Sequence, residues 1–176
     1  MSETLPSREQ ALQLLREHGC SAKVINHCNE VAELAVQTAN ILKDKGFQIN
    51  FGLVEIGALL HDIGRSKTHA VNHVVVGAEI AESAGLPDSI VSIIKRHVGG
   101  GITTAEAEKL GWPKDVYMPI TLEEKVVSYA DKLIENSKRA PIDLTVKKLS
   151  GELKWEAAKR VQKLYEEITS LIGGVP

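Results

Sequence analysis

Two polar residues, His61 and Asp62, directly follow a largely apolar segment that runs from Leu53 to Leu60. Burying an imidazole or a carboxylate costs free energy unless the group is hydrogen-bonded, paired with an opposite charge or bound to a cation. Two such side chains at the end of a segment with the composition of a protein core therefore indicate that they have partners there. Both are ligands of divalent transition metals. The pair predicts a metal site at the end of a buried helix.

Four further side chains of the same types are predicted to face the protein interior. His97, for example, follows Ile90, Ile93 and Ile94 at helical spacing, which places it on an apolar stripe. Each residue alone is ambiguous, because a histidine on such a stripe is more often structural and a buried aspartate can be held in a salt bridge. Four inward histidines and two inward aspartates in a chain with only 4% aromatic residues favour metal binding. The predicted ligands are His27, His61, Asp62, His73, His97 and Asp131.

Composition and charge narrow the class of protein. With 176 residues, 43% of them hydrophobic and 25% charged, the chain is expected to form a soluble globular domain. A formal net charge of -2 gives no broad electrostatic reason to expect nucleic acid as a partner. No apolar run approaches the ~20 residues that span a bilayer, so no membrane partner is expected.

The N-terminal residues and the cysteines predict a cytoplasmic location. Residues 1–6 contain neither a basic segment nor an apolar stretch, so no signal peptide is expected. Cys20 and Cys28 form no CxxC motif and suit helical positions as small side chains. A disulfide-free protein of a reducing compartment is therefore expected.

The hydrophobic periodicity is helical almost throughout, and no segment alternates convincingly as a strand. We predict an all-α fold of about seven helices, forming a single domain over residues 1–176. Its core is expected at 22–139, with a C-terminal helix, 152–172, packing on it. Ser7, Ser21 and Thr121 are predicted helix caps, the last with Glu124 in a capping box. The predicted helical segments are about 7–18, 21–45, 53–63, 73–84, 87–97, 104–110, 121–137 and 152–172, and 99–101 is expected to be a flexible glycine loop.

The order of His27, then His61-Asp62, then Asp131 resembles the HD-domain superfamily of metal-dependent phosphohydrolases, which is named for its His-Asp doublet. The sequence Leu-Leu-His-Asp-Ile-Gly-Arg, residues 59–65, is similar to the most recognisable motif of that superfamily. The resemblance spans about residues 22–139. The additional His73 and His97 resemble the subgroup that binds two metals through His, His-Asp, His, His and Asp. The segments at 73–78, 96–97 and 126–131 are similar to bacterial HD hydrolases that cut diadenosine tetraphosphate symmetrically.

This resemblance implies a hydrolase acting on a phosphoester or phosphoanhydride bond in a nucleotide or dinucleoside polyphosphate. It implies one or two divalent transition metals from the set iron, manganese, nickel, cobalt and zinc. In the two-metal form Asp62 bridges the ions, and His73 and His97 hold the second one. The expected partner is a small phosphorylated molecule, and a homodimer is left open. The first ion is completed by His27, His61 and Asp131.

Basic side chains near the ligands are candidates for binding the substrate phosphate, whose charge needs nearby donors. Arg65 follows the turn that carries the doublet, and Lys132 follows Asp131. We therefore expect Asp62, Arg65 and Lys132 to take part in catalysis. The remaining basic residues of this region, which could equally be solvated surface charges, are Lys67, Lys95, Arg96 and Arg139.

Differences from other HD subgroups argue against some substrates, and two alternative functions stay open. Arg65 stands where the deoxynucleotide monophosphatase and alarmone-hydrolase subgroups tend to carry an acid. Val98, rather than a second histidine, follows His97, and no GYP-type motif is present, so a cyclic-di-GMP phosphodiesterase is not expected. A di-iron oxygenase of the HD type uses the same ligands and stays open as a rival. A non-catalytic nucleotide-binding regulatory domain ranks third, because the ligand set is intact.

Overall fold

The computed structural model describes residues 3–151 and 154–176, and these residues form a packed set of α-helices, which confirms the all-α prediction. Two short 3₁₀ turns, Ile63–Ser66 and Val98–Gly100, and a small hairpin interrupt the helices. The hairpin strands are β1 (Ile134–Glu135) and β2 (Lys138–Arg139). The helices are α1 (Arg8–Glu17), α2 (Ala22–Asp44), α3 (Phe51–Leu60), α4 (His73–Ser83), α5 (Asp88–Arg96), α6 (Thr104–Lys109), α7 (Leu122–Lys132), α8 (Ile142–Gly151) and α9 (Trp155–Ile172).

The long helix α2 forms the centre of the packing, with α3 and α7 against it. Its buried stripe has the three-to-four residue spacing of one helix face and consists of Val24, Cys28, Val31, Ala35, Thr38 and Leu42. The same hydrophobic cluster continues from α1 into α9, and both cysteines are free and buried. Burial of these stripes therefore sets the relative positions of α2, α3 and α7, which carry most of the polar cluster described below.

Three predicted helix starts are confirmed by their capping hydrogen bonds. The hydroxyl of Ser7 accepts from Gln10 N, and that of Ser21 accepts from Val24 N. Thr121 and Glu124 form the expected capping box at the start of α7. These bonds satisfy backbone N–H groups that have no partner within the helix.

Helix α3 is buried from Ile56 to its end, and it starts and ends earlier than the sequence suggested. Asn50 caps it by accepting from Leu53 N, and its helical hydrogen-bonded run ends at Leu60 rather than at Ile63. His61 is the C-cap residue, so the polar doublet lies where the chain leaves the helix. Within residues 3–151 and 154–176, no helix is both long enough and apolar enough to cross a bilayer.

The C-terminal third departs most from the predicted helices. The segment predicted to be helical to Ser137 leaves the helix after Lys132, and Asn136 and Ser137 adopt φ values of 51° and 58°. This left-handed pair forms a two-residue hairpin turn, a conformation in which asparagine is favoured. Helix α8 was missed by the sequence analysis. The last helix is described from Trp155, and the predicted start at Glu152 lies outside the described residues.

Two glycines let the chain segment after the doublet pack directly on α4. A Cβ at Gly64 would overlap the carbonyl oxygen of His73 and lie 2.7 Å from Gly77 N. A Cβ at Gly77 would in turn lie 3.2 Å from Gly64 N and 2.9 Å from Ile94 Cγ2. Backbone contact of this kind requires residues without a side chain. It brings the first 3₁₀ turn against the start of α4 and so places His61 and Asp62 beside His73.

The glycine run at 99–101, where a flexible loop was predicted, forms the end of the second 3₁₀ turn and packs against α9. All three residues have positive φ, between 58° and 104°. A Cβ at Gly100 would lie 2.9 Å from Val161 N on α9, so this turn packs closely against that helix. Arg160 Nε also donates to the carbonyl oxygen of Gly101 at 2.9 Å. Helix α9 therefore supports the chain immediately after His97.

Candidate metal centre

The six predicted ligands come together in one cluster, although they arise from five helices. His27 lies on α2 and Asp131 near the end of α7, while His61 and Asp62 follow α3. His73 is the first residue of α4, and His97 follows α5. His27 and Asp131 face a cavity and are partly exposed, and the other four side chains are buried. The cluster is therefore enclosed on the protein side and open on the side of His27 and Asp131.

The carboxylate of Asp62 lies between two groups of histidines. Its Oδ1 atom is 3.1 Å from His73 Nε2 and 3.4 Å from His97 Nε2. Its Oδ2 atom is 3.6 Å from His61 Nε2 and 3.8 Å from His27 Nε2. Each carboxylate oxygen thus faces a different histidine pair, the arrangement expected of a side chain that can bridge two cations.

Asp131 adds a second carboxylate to one side of the cluster. Its Oδ1 atom is 2.9 Å from His27 Nε2 and 3.4 Å from His61 Nε2. The other oxygen accepts from the ammonium group of Lys132. Asp131 therefore contacts the group around His27 and His61, whereas His73 and His97 rely on Asp62.

Three of the histidines are oriented by the backbone that directly precedes them. His61, His73 and His97 each place Nδ1 against the carbonyl oxygen three residues earlier, at 2.6, 2.8 and 2.9 Å. A carbonyl oxygen only accepts, so Nδ1 must carry a proton and donate it. Nε2 is then the atom that faces the cluster, free to bind a cation or a second proton. Such backbone bonds are the usual support of metal-binding histidines.

The inner atoms of the cluster lack the partners that buried polar groups normally have. His61 Nε2 and Asp62 Oδ1 are buried and make no hydrogen bond with any described residue. His73 Nε2 lies 3.3 Å from His97 Nε2, so two nitrogen atoms with limited donor capacity face each other. A buried polar atom without a partner costs about 1–3 kcal/mol, and a cation would satisfy all four atoms together. The donor set of imidazoles and carboxylates fits a divalent transition metal without selecting one.

The charges of the ligands agree with this fit. Burial lowers the pKa of His97 to about 4, so this imidazole is neutral at neutral pH. Burial raises the pKa of the Asp62 carboxyl, but the neighbouring histidines, His61 first, outweigh it and hold the pKa well below its usual range. Burial also opposes ionisation of Asp131, and Lys132 and His27 outweigh it, so that the pKa is again well below normal. Both carboxylates are therefore charged and ready to bind a cation.

The imidazole of His61 shows the same attraction for positive charge. Burial lowers its pKa, but the Asp62 carboxylate and other neighbours outweigh burial and raise the pKa well above its ordinary value. A proton on His61 can therefore occupy the centre when no metal does. Metal ligands must be deprotonated, so a metal would have to displace a proton from this nitrogen.

The two basic residues predicted to act in catalysis lie at the cluster and already contact its carboxylates. Arg65 Nε donates to Asp62 Oδ2 at 2.8 Å, and its Nη1 donates to the carbonyl oxygen of His69 at 3.2 Å. Lys132 pairs with Asp131. The other basic candidates do not line the cavity next to the cluster, and three of them bind elsewhere: Lys95 to Asp115, Arg96 to Glu124 and Arg139 to the Pro176 carbonyl oxygen.

A cavity of about 1050 Å³ opens over the exposed side of the cluster. His27, Asp62 and Asp131 contribute to its wall, as do Arg65 and Lys132. Its outer wall was not predicted, because it is built from the missed helix α8, the start of α9 and the end of α6, which no local spacing connects. The residues of this wall that carry charge or an aromatic ring include Lys23, Lys109, Lys148, Trp155 and Arg160.

Relatives of this chain include one protein of matching length and others that are twice as long. It is 45% identical over 166 residues to an uncharacterized protein of Methanocaldococcus jannaschii, a match that covers 93% of this chain and 98% of the relative. It is 40% identical over 169 residues to a tRNA (cytidine(56)-2'-O)-methyltransferase of Thermoplasma volcanium, covering 96% of this chain. The chain spans 48% of that methyltransferase, about half its length.

The fold matches solved HD-domain structures. The HD domain of the phosphodiesterase PgpH from L. monocytogenes, in complex with cyclic-di-AMP, superposes with a TM-score of 0.56 at 19% sequence identity. The superposition covers 93% of this chain and 96% of that domain, and at this identity it speaks for the fold alone. The sequence profile of the HD domain matches residues 24–136, which contain all six clustered ligands. The chain therefore belongs to the HD domain family.

Proposed function

We propose that this protein is a metal-dependent phosphohydrolase that cleaves a phosphoester or phosphoanhydride bond in a nucleotide or a dinucleoside polyphosphate. The observation that carries the proposal is the position of Asp62, whose two oxygens face two separate pairs of imidazole nitrogens at 3.1–3.8 Å. The cavity above this carboxylate is large enough for a nucleotide and includes cationic side chains. Membership of the HD domain family supports a hydrolase.

In this proposal the cluster holds two divalent transition metals from the set iron, manganese, nickel, cobalt and zinc. Asp62 contributes one oxygen to each, His73 and His97 complete one site, and the other is completed by His27, His61 and Asp131. Bound metals of this kind supply Lewis acidity toward phosphoryl oxygens and activate water. The backbone bonds to Nδ1 keep the imidazoles in place, so little reorganisation is needed on binding.

The remaining steps fall to the side chains around the cavity. Arg65 is oriented by Asp62, and within the described residues no hydrogen bond engages its Nη2 group. Its side chain is 29% exposed, so that group is available to a phosphoryl oxygen in the cavity. Lys132, beside Asp131, adds a second positive charge at the same wall. Fixed cationic donors stabilise the negative charge that builds on a phosphoryl group during transfer.

We further propose that residues 1–176 act as one domain. A continuous hydrophobic cluster connects Ala11 on α1 to Ile172 on α9. Helix α9 also contacts α7 and the turn after His97. This helix lies outside residues 24–136, which match the HD domain, and it supports the elements that carry Asp131 and His97.

Metal analysis followed by a substrate panel tests the proposed function. The purified protein is loaded with manganese, iron, cobalt, nickel or zinc, and its metal content is measured by mass spectrometry. Nucleoside mono-, di- and triphosphates and dinucleoside polyphosphates are then scored for hydrolysis products. We expect metal-dependent release of phosphate or nucleotide products from at least one class. Oxygen consumption with iron, without hydrolysis of any member, would instead establish the oxygenase.

Replacing His73 and His97 should remove one of the two metals. We expect His73→Ala and His97→Ala to lower the metal content from two ions per chain toward one, because each removes an imidazole on the Oδ1 side of Asp62. Mass spectrometry of the metal-loaded variants measures this stoichiometry. His18→Ala, which changes a histidine outside the cluster, should retain wild-type content. A stoichiometry that stays at one or at two in both variants contradicts the second site.

Removing the guanidinium of Arg65 should weaken catalysis without removing metal. We expect Arg65→Ala to lower kcat/KM by an amount that corresponds to a loss of about 1.5–3 kcal/mol in transition-state stabilisation, the range for a hydrogen bond to a charged group. Arg65→Lys should recover only part, because an ammonium group lacks the planar fork of a guanidinium. Arg16→Ala, an exposed arginine away from the cavity, is the control. Wild-type rates in Arg65→Ala on every active substrate would rule out this role.

A further inference from the structure

The cavity above the metal centre is larger than a single phosphate requires. Its volume of about 1050 Å³ is at the upper limit of the ~300–1,000 Å³ that small-molecule sites occupy. His27, Asp62 and Asp131 contribute only a part of its lining. The rest includes the start of α2, the hairpin and residues of α6, α8 and α9, for most of which the chemistry at the metal centre provides no role. The outer part of the cavity therefore has room for a part of the ligand other than the phosphate at the metal centre.

Several exposed apolar side chains lie at this outer part. Val71, Leu110 and Trp155 are large hydrophobic residues with substantial exposure, and all three line the cavity. Trp155 is 57% exposed, although it is the first residue of a helix that is otherwise well packed. Apolar surface beside polar residues in a cavity is typical of a binding site.

Packing among residues 3–151 and 154–176 leaves most of Trp155 exposed. Its ring lies between the large cavity and a smaller one of about 290 Å³ beside α8 and α9. The other tryptophan, Trp112, packs edge-on against Tyr117 at 5.0 Å, next to a small hydrophobic cluster. Among the described aromatic residues, none stacks on Trp155 in this way. One tryptophan thus has a structural role, and the other presents an open ring to the cavity.

Unpaired positive charges accompany this ring. Lys23, Lys109 and Lys148 line the cavity, and no carboxylate of the described residues lies within 4.0 Å of their ammonium groups. Lys132, in contrast, is paired with Asp131. Seven basic and five acidic side chains line the cavity, whereas the whole chain has a net charge of -2. Cationic surplus at this one place suits a ligand with several phosphates.

We propose that Trp155 stacks on the base of a nucleoside polyphosphate, while Lys23, Lys109 and Lys148 bind phosphates other than the one at the metal centre. The proposal rests on the function proposed for the same cavity and names its substrate class. Stacking on a tryptophan ring is favourable for every base, because each base has a π-face. The site is therefore expected to require a base and several phosphates but to discriminate weakly among bases.

Tryptophan fluorescence gives a direct test of the stacking. The chain has two tryptophans, so Trp112→Phe leaves Trp155 as the only one. ATP is mixed with this metal-loaded variant in a stopped-flow instrument, and the fluorescence amplitude is read before turnover. Tripolyphosphate is the matched probe without a base. We expect ATP to quench the fluorescence and tripolyphosphate to bind without quenching, and equal amplitudes for the two probes would overturn the proposal.

Binding constants of variants in the otherwise wild-type metal-loaded protein give the second readout. We expect Trp155→Ala to raise the Kd of ATP at least about fivefold, the lower limit for loss of one stacked base, and to leave the Kd of tripolyphosphate unchanged. Trp155→Phe should restore most of the affinity. Leu144→Ala, which trims an equally exposed residue outside the cavity, should change neither constant. Parallel changes for both probes, or no change, contradict stacking.

The lysines are tested with the same two probes. Lys109→Ala should raise the Kd of ATP and that of tripolyphosphate by the same factor. Lys114→Ala, which changes a lysine outside the cavity, should raise neither Kd. Quenching of Trp155 by ATP without hydrolysis of any nucleotide would keep this subsite and reject the hydrolase. Nucleotide hydrolysis with the same KM in wild type and Trp155→Ala would keep the hydrolase and reject the subsite.

Discussion

Asp62→Asn should weaken metal binding at both proposed sites by roughly 100-fold and lower the hydrolase activity with it. Its two oxygens face separate histidine pairs, so a single substitution weakens both ions. The metal-binding free energy typical of a four-ligand site is ~10–16 kcal/mol. If this free energy is shared equally among the ligands, each site loses about 3 kcal/mol with Asp62, or roughly 100-fold in affinity. Metal content by mass spectrometry and kcat/KM on the best substrate measure the effect.

Thermal unfolding provides an independent measure of the same loss. A metal at 100 times its Kd stabilises the protein by about 2.7 kcal/mol, which raises the Tm of a chain of this size by roughly 5–10 °C. We expect this shift in wild type and not in Asp62→Asn. Asp115→Asn, which changes a surface aspartate paired with Lys95, should behave like wild type. An Asp62→Asn protein that keeps two ions and its activity would remove the basis of the proposed centre.

Gly64→Ala should cause the largest loss of stability among single-methyl additions considered for this chain. The new Cβ would overlap the His73 carbonyl oxygen and lie 2.7 Å from Gly77 N, and no rotamer change relieves a clash with backbone. Such overpacking costs about 3 kcal/mol or more, which corresponds to a fall in Tm of roughly 6–12 °C. Urea unfolding of the metal-free protein measures the free-energy change.

A second glycine in a helix provides the matched control for this change. Gly151 has open space around the position of a Cβ and no positive φ, so Gly151→Ala should be neutral or slightly stabilising. The metal content of Gly64→Ala should also fall, because the contact between Gly64 and Gly77 places the doublet beside His73. If the two alanine variants unfold at the same urea concentration, the close packing of the first 3₁₀ turn on α4 is not required.

The helical class and the types of the ligands were accessible from the sequence because both depend on local information. Capping residues such as Ser7 and Thr121 form bonds within one turn of the chain, so their role can be recognised from spacing alone. The doublet His61-Asp62 stood out because residue type determines the cost of burial. That these residues are metal ligands remains a prediction, although the structure brings all six side chains together.

Other local elements were mispredicted where two conformations compete. The stripe of α7 could continue through Ile134, yet the left-handed pair Asn136 and Ser137 turns the chain into a hairpin. The glycines at 99–101 suggested a loop because glycine allows many backbone conformations, and packing against α9 selects a 3₁₀ turn among them. In both cases contacts distant in sequence decide between alternatives that are close in local free energy.

The sequence by itself determined which chemical groups this protein has and which helices carry them. Only the tertiary structure decided that Asp62 faces two histidine pairs and that Arg65 is held by the same carboxylate. It also decided that an exposed tryptophan shares the cavity with three lysines that have no carboxylate partner among the described residues. The predicted ligands were recognised from helical periodicity and residue type, which are properties of neighbouring residues. The cavity wall combines helices α2, α6, α8 and α9, and their distances depend on how buried side chains and glycine contacts pack the whole chain.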